Sequence, residues 1–195
     1  MFKEKYGYLL EGEKLSDKEI RKVVRDNFKK LYKSMEEKGV KSPEARLVEN
    51  TVIGHSTIWR YAYGEMNIIP SLDALVQIAY VCNLKLSDLF KQNISFQSNK
   101  FQLKDFNRNE ITTSDIIDNF IDDFDERYWE LKNSSGMSDS AICKLSGIHR
   151  NRLSEFKNNE VTVVTLRDFL RVCMTFDNCI DDYFGWFLEG GDLDE

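Results

Sequence analysis

The run His149-Arg150-Asn151-Arg152, continued by Ser154 and Lys157, gathers side chains that match the edges of base pairs and the oxygens of phosphates. An arginine fork fits guanine O6 and N7, and an asparagine amide fits adenine N6 and N7, so this run at a helix start suits direct readout. A second set, His55, Ser56, Thr57, Trp59 and Arg60, lies earlier in the chain. A charged run on a helix is ordinarily just a solvated face. Gly147 argues for more, because it places a tight turn directly before the run and so puts these residues on the second helix of a pair. Trp59 is read equally as packing and as a base contact. His55 and His149 are read as helix caps or phosphate donors, with a pH-sensing role a more remote option.

Other chemistry lacks its parts. The sequence has no glycine-rich phosphate loop, no GxSxG elbow and no convincing Cys and His constellation, so no catalytic residue and no cofactor are expected and the chain is not expected to be an enzyme. Cys82, Cys143, Cys173 and Cys179 form no CxxC pair, and the two histidines show no HxxxH or HExxH spacing, so no metal site is expected. Three of the four cysteines stand in apolar runs and are read as core thiols. Acidic pairs such as Asp122 with Asp123 are read as solvent-facing.

Helices must position both sets. Ser16 followed by Glu19 has the spacing of a capping box, and Ile20, Val23, Val24, Phe28, Leu31, Tyr32 and Met35 recur at helical period, which predicts a long opening helix ended by Gly39. Ser42 with Pro43 restarts a short helix. His55-Ser56-Thr57 can cap a third, in which Ile58 and Tyr61 face the core and Gly64 is the stop. A fourth runs from Ser71 through Val81, and Ser87 opens a fifth. Sliding the sequence on itself by about 95 residues pairs Phe28 with Phe124, Tyr32 with Tyr128, Ile58 with Leu153, Gly64 with Asn159, Leu72 with Leu166, Ile78 with Val172 and Phe90 with Phe184. The pattern predicts duplication of one small helical domain.

STIWRYAYGE and PSLDALVQIAYVCNLKLSDLF in the first copy, and SDSAICKLSGIHRNRLSEFKNNE in the second, resemble the lambda-repressor and Cro-like family of helix-turn-helix regulators, also called the xenobiotic-response-element type. The resemblance covers Phe28 to Phe90 and, in the second copy, is strongest at the turn. It implies an all-α fold of two tandem five-helix domains joined by a linker, with the helix after each turn entering a major groove. Its implied DNA-binding residues are His55, Ser56, Thr57, Trp59, Arg60, His149, Arg150, Asn151, Arg152, Ser154 and Lys157. The chain departs from the family in three places. Val52 stands at the first turn-glycine position, Val164 replaces the proline found at Pro70, and Glu44 and Asp139 occupy the position where relatives often set a glutamine against phosphate.

The expected organisation is an N-terminal arm over 1–15, free to pair as a strand or wrap a partner, then domains over 16–91 and 114–187, a linker over 92–113 and an acidic tail over 188–195. A short strand around FQLKDF in the linker and a contact patch at Trp186 and Phe187 are further options. No apolar run approaches the roughly 20 residues of a membrane span, and charges interrupt MFKEKYGYLLEGEK, so a soluble, cytoplasmic protein is expected. The net charge of -6 is uneven: residues 1–96 hold 16 Lys+Arg against 13 Asp+Glu, and residues 97–195 hold 11 against 20. Affinity for DNA follows the face presented rather than the total. The expected function is a transcriptional regulator, acting as a repressor, with double-stranded DNA as partner and a homodimer left open. The alternative is a protein-binding module of the same fold, an antirepressor, antitoxin or phage-encoded inhibitor, whose acidic second half meets a basic protein.

Overall fold

In the computed structural model the apolar stripe that begins at Ile20 lies along one face of α2 (Asp17–Glu37), and every position from Ile20 to Met35 that the periodicity assigns to the core is buried. The structure describes residues 2–63, 69–96, 113–157 and 163–183. Among them helix dominates, strand is confined to a hairpin of β1 (Leu10–Glu11) and β2 (Lys14–Leu15), and no helix is long and apolar enough to cross a membrane. The chain divides into two compact units, Tyr8–Ile117 and Met1–Gly7 with Asp118–Glu195.

In the first unit α2 packs on α3 (Pro43–Asn50), on α4 (His55–Ala62) and on a 3-10 turn at Leu86–Phe90, while α3 also meets α5 (Leu72–Val81). The long stripe needs several partners because no single short helix can cover it. One polar residue is set inside this apolar contact: the buried Asn27 amide donates to the carbonyls of Leu89 at 3.0 Å and Lys91 at 2.9 Å, fixing the 3-10 turn against α2. Tyr32 donates to the Ile58 carbonyl at 3.1 Å, tying the same helix to α4.

The second unit repeats the order of elements with α6 (Thr113–Ser135), α7 (Asp139–Ser146), α8 (Arg150–Lys157), α9 (Leu166–Thr175) and a 3-10 turn at Ile180–Tyr183. Ser138 caps α7 by accepting from the Ala141 N–H at 3.2 Å, and Thr165 caps α9 by accepting from the Asp168 N–H at 3.1 Å. Its core is aromatic, with the Phe124 ring 5.3 Å from Phe156 and 6.0 Å from Phe169. α1 (Phe2–Tyr6) packs on α9 with Phe2 and Tyr6 buried. The Phe2 N–H donates to Asp177 at 2.6 Å.

Three local devices recur in the two units at the offset read from the sequence. At the first, the Thr51 hydroxyl donates to the Leu47 carbonyl at 2.7 Å and accepts from the Ile53 N–H at 3.3 Å. Ser146 makes the same pair of bonds, to Ile142 at 2.7 Å and from Ile148 at 3.0 Å. At the second, α5 and α9 end on left-handed Asn83 and Asp177, with the Leu84 N–H reaching back to Ala79 at 2.8 Å and the Asn178 N–H to Cys173 at 2.9 Å. At the third, Asp88 accepts from the Lys85 N–H at 3.1 Å and Asp182 from the Cys179 N–H at 2.9 Å, closing the two 3-10 turns.

Several expectations change. Ser16 is at the N-cap of α2, but its buried side chain makes no cap bond; its N–H is taken by Leu9 instead, because the hairpin lies over that helix end. Gly54, not His55-Ser56-Thr57, is the N-cap of α4. The 3-10 turn opens at Lys85 rather than Ser87, which is buried. The segment over 1–15 pairs as a strand only at its end, in the hairpin of β1 and β2, and its Phe2, Tyr6 and Leu9 are buried in α1 and the turn that follows it. Residues 92–96 are not linker either, since Phe96 is buried and its carbonyl accepts from Ser34 at 2.7 Å. Gly64, Asn159, Phe184, Trp186, Phe187 and the FQLKDF segment lie outside the described residues.

The hydroxyl bridges set a stability expectation. Removing either one leaves a buried N–H unpaired, so Thr51→Val and Ser146→Ala should each cost about 1–3 kcal/mol, read as a lower urea midpoint. An unchanged midpoint for both variants contradicts the role given to these hydroxyls.

Candidate nucleic-acid interface

The turn before α8 is set by a left-handed glycine. Gly147 takes φ 67 and ψ 17, left-handed values that a side chain would strain, and its N–H donates to Cys143 at 2.9 Å to close α7. Ile148 then turns inward and α8 starts on the surface. His149 Nδ1 accepts from the Asn151 N–H at 3.3 Å, so this histidine acts as the cap. Leu153 and Phe156 face the core, while Arg150, Asn151 and Ser154 are exposed on the opposite side. A cleft of about 520 Å³ beside them is lined by Asp139, Ser140, Cys143, Gly147, His149 and Arg150. The carboxylate of Asp139 is held by Lys132. An acid is tolerated there because it faces the positive end of the α7 dipole and a cation.

Arg152 departs from the expected set. Its guanidinium bonds Glu155 and the Val163 carbonyl, reaches Asp168 at 3.4 Å and lies 5.2 Å from the Phe156 ring centre. Flanking Leu153 and four residues ahead of Phe156, it is drawn to the protein side of the helix. The structure therefore brings Arg150, Asn151 and Ser154 together with His149 and turns Arg152 away as a brace between α8 and α9. The side chain of Lys157 lies outside the described residues.

The first unit makes its turn without a left-handed residue. Thr51 is extended, with φ -134 and ψ 169, and the Val52 N–H donates to the buried Gln77 side chain at 3.1 Å. Beyond it His55, Ser56 and Arg60 are exposed and Thr57 is half-buried, with Ile58 and Tyr61 in the core as expected. Arg60 folds back along its own helix to the Ser56 carbonyl at 3.2 Å. Trp59 points outward at 47% exposure, its ring 6.2 Å from the exposed Tyr63, and Val52 is 74% exposed nearby. The exposed face of α4 thus mixes His55, Ser56 and Arg60 with the aromatic Trp59, whereas the exposed Arg150, Asn151 and Ser154 of α8 are all polar.

One titrating group beside the brace escaped the sequence reading. Burial, helped by the nearby Asp122 charge and opposed by Arg152, raises the Asp125 carboxyl from 3.8 to about 6. Asp125 was legible only as one acid among many on α6; its burial is a tertiary fact.

Comparison with protein-family models, with curated proteins and with solved structures finds no match to this chain.

Two stability outcomes separate brace from surface. Arg152→Ala should destabilise by about 1 kcal/mol, since it removes the part-buried guanidinium that joins Glu155 on α8 to Asp168 on α9, while Arg150→Ala should leave the thermal midpoint unchanged. Equal midpoints for the two variants would remove the distinction. For Asp125 the folded state holds the proton more tightly than the unfolded chain. The charged carboxylate therefore costs nothing below 3.8, costs progressively more as pH rises, and carries its full penalty above about 6. Asp125→Asn should stabilise the chain at neutral pH by on the order of 1–2 kcal/mol after solvent screening. The gain should vanish toward about pH 4; thermal melts showing the same gain at both pH values would count against the assignment.

Proposed function

We propose that this chain is a cytoplasmic DNA-binding transcriptional regulator, a repressor, built from two tandem helix-turn-helix domains of the lambda-repressor and Cro-like type. The observation that carries the reading is the α7-turn-α8 unit. A left-handed glycine and a buried serine hydroxyl set the turn, and the helix after it presents Arg150, Asn151 and Ser154 outward with His149 at its cap. Those residues suit base edges and phosphates, and the positive end of the α8 dipole favours a phosphate beside its first turn. The hydroxyl bridge shared by Thr51 and Ser146 supports reading both units as copies of one domain. Two reading heads on one chain raise the effective concentration of the second once the first is bound.

A second reading, docking of a protein rather than DNA, is favoured for the first unit by the exposed Trp59 on α4, Tyr63 at its C-terminal end and Val52 in the turn before it.

Selection from a random duplex library at two salt concentrations tests the proposal. A motif should be enriched, with affinity falling as salt rises. Arg150→Ala/Asn151→Ala should weaken binding to it by about tenfold to a hundredfold, and a loss on Trp59→Ala/Arg60→Ala would assign base contacts to α4 as well. No enrichment above non-specific binding would transfer the assignment to the protein-docking reading.

A further inference from the structure

The outward face of α6 carries a feature that DNA binding does not use. Asp122, Asp125, Glu126 and Trp129 succeed one another at helical spacing and, with Ile121, line a cleft of about 540 Å³. Glu130 borders it but is already paired with Arg127 at 2.7 Å. Exposed carboxylates alone would be an ordinary solvated face. Asp125 is different: it lines the cleft at 8% exposure, and its Oδ1 has no hydrogen-bond partner among the described residues. A buried carboxylate oxygen left without a donor costs stability, and groups held at such a cost concentrate at sites where a ligand supplies the missing partner.

We propose that this cleft binds the guanidinium of an arginine presented by a basic segment of a partner protein. Charge complementarity chooses a cation, since four carboxylates and no cation line the cleft, with Glu130 alone held by Arg127 from outside the lining. A metal ion fits poorly: among the described residues no group of three or more His, Cys, Asp or Glu is placed to hold one. Arginine is preferred over lysine for two reasons. Its planar fork can give two N–H groups to a carboxylate while a further edge reaches the next, and its face packs on an aromatic ring, here the half-buried Trp129, whose ring already carries the Lys132 ammonium at 5.2 Å and so leaves one face for the ligand. Lysine and polyamines offer charge without that plane. The inference stands apart from the DNA-binding proposal, so the failure of either leaves the other in place.

Calorimetric titration of the full chain with a tetra-arginine peptide, a tetra-lysine peptide and spermine tests it. Tetra-arginine should bind at one site at least about tenfold more tightly than the other two. Asp125→Asn should weaken that binding by about tenfold, and Trp129→Leu should weaken it with no change in charge. Where Asp125→Asn disturbs the fold, as judged by circular dichroism, the exposed pair Asp122→Asn/Glu126→Gln gives the same reading. The control Glu11→Gln/Glu13→Gln removes two exposed charges from the other unit and should have little effect. Equal affinity for all three cations, or an equal loss in the control, would reduce the effect to net charge and overturn the proposal.

Discussion

Two helices joined by a tight turn leave the last carbonyls of one and the first amides of the other without partners, and in both units a single hydroxyl meets that constraint. Thr51 and Ser146 each bridge the carbonyl four residues back to the N–H two residues on, so the chain can end one helix and aim the next with both of these backbone groups paired. Everything downstream depends on this aim. The burial of Ile58 and Tyr61 in one unit and of Leu153 and Phe156 in the other follows from it, and so does the outward direction of Trp59, Arg150 and Asn151. The two units differ in how the turn is completed: Gly147 adopts a left-handed backbone, while Val52 stays out of that region and borrows the buried Gln77 side chain for its N–H.

Charge is divided within the second unit much as it is along the sequence. Arg152, one of the cations of the α8 run, is turned inward onto Glu155, Asp168 and the Val163 carbonyl. Its proximity also lowers the proton affinity of Asp125, which burial raises. One guanidinium thereby braces α8 against α9 and partly compensates a buried acid. The exposed polar surface of α8 is built from Arg150, Asn151 and Ser154 with His149 beside them, and the acidic stripe of α6 is a separate face of opposite charge.

Much of this was legible in the sequence, because period and spacing report directly on burial. The pairs Phe28 with Phe124, Tyr32 with Tyr128, Ile58 with Leu153, Leu72 with Leu166 and Ile78 with Val172 are buried in both units. What escaped reading depended on contacts between distant segments. The burial of Phe2 against the second unit links residues separated by nearly the whole chain, and no local pattern records it. Ser16 has the sequence of a capping residue, yet the hairpin beside it supplies a different partner for its backbone. Arg152 and Arg150 look alike in a run of basic residues; two positions along a helix put one on the solvent side and the other on the protein side. The left-handed Asn83 and Asp177 close two helices where no glycine stands to mark them.

Hydrogen exchange of the full chain with and without a library-selected duplex tests the central claim most directly. The start of α8 is exposed, and of its first N–H groups that of Asn151 is held only by the exposed His149 cap, so these amides exchange readily in the free protein and slow sharply when a phosphate or base edge covers them. The expected result is slowed exchange concentrated at residues 149–152. Unchanged exchange there, with slowing elsewhere on the chain, would contradict the assignment of α8 as the helix that reads DNA.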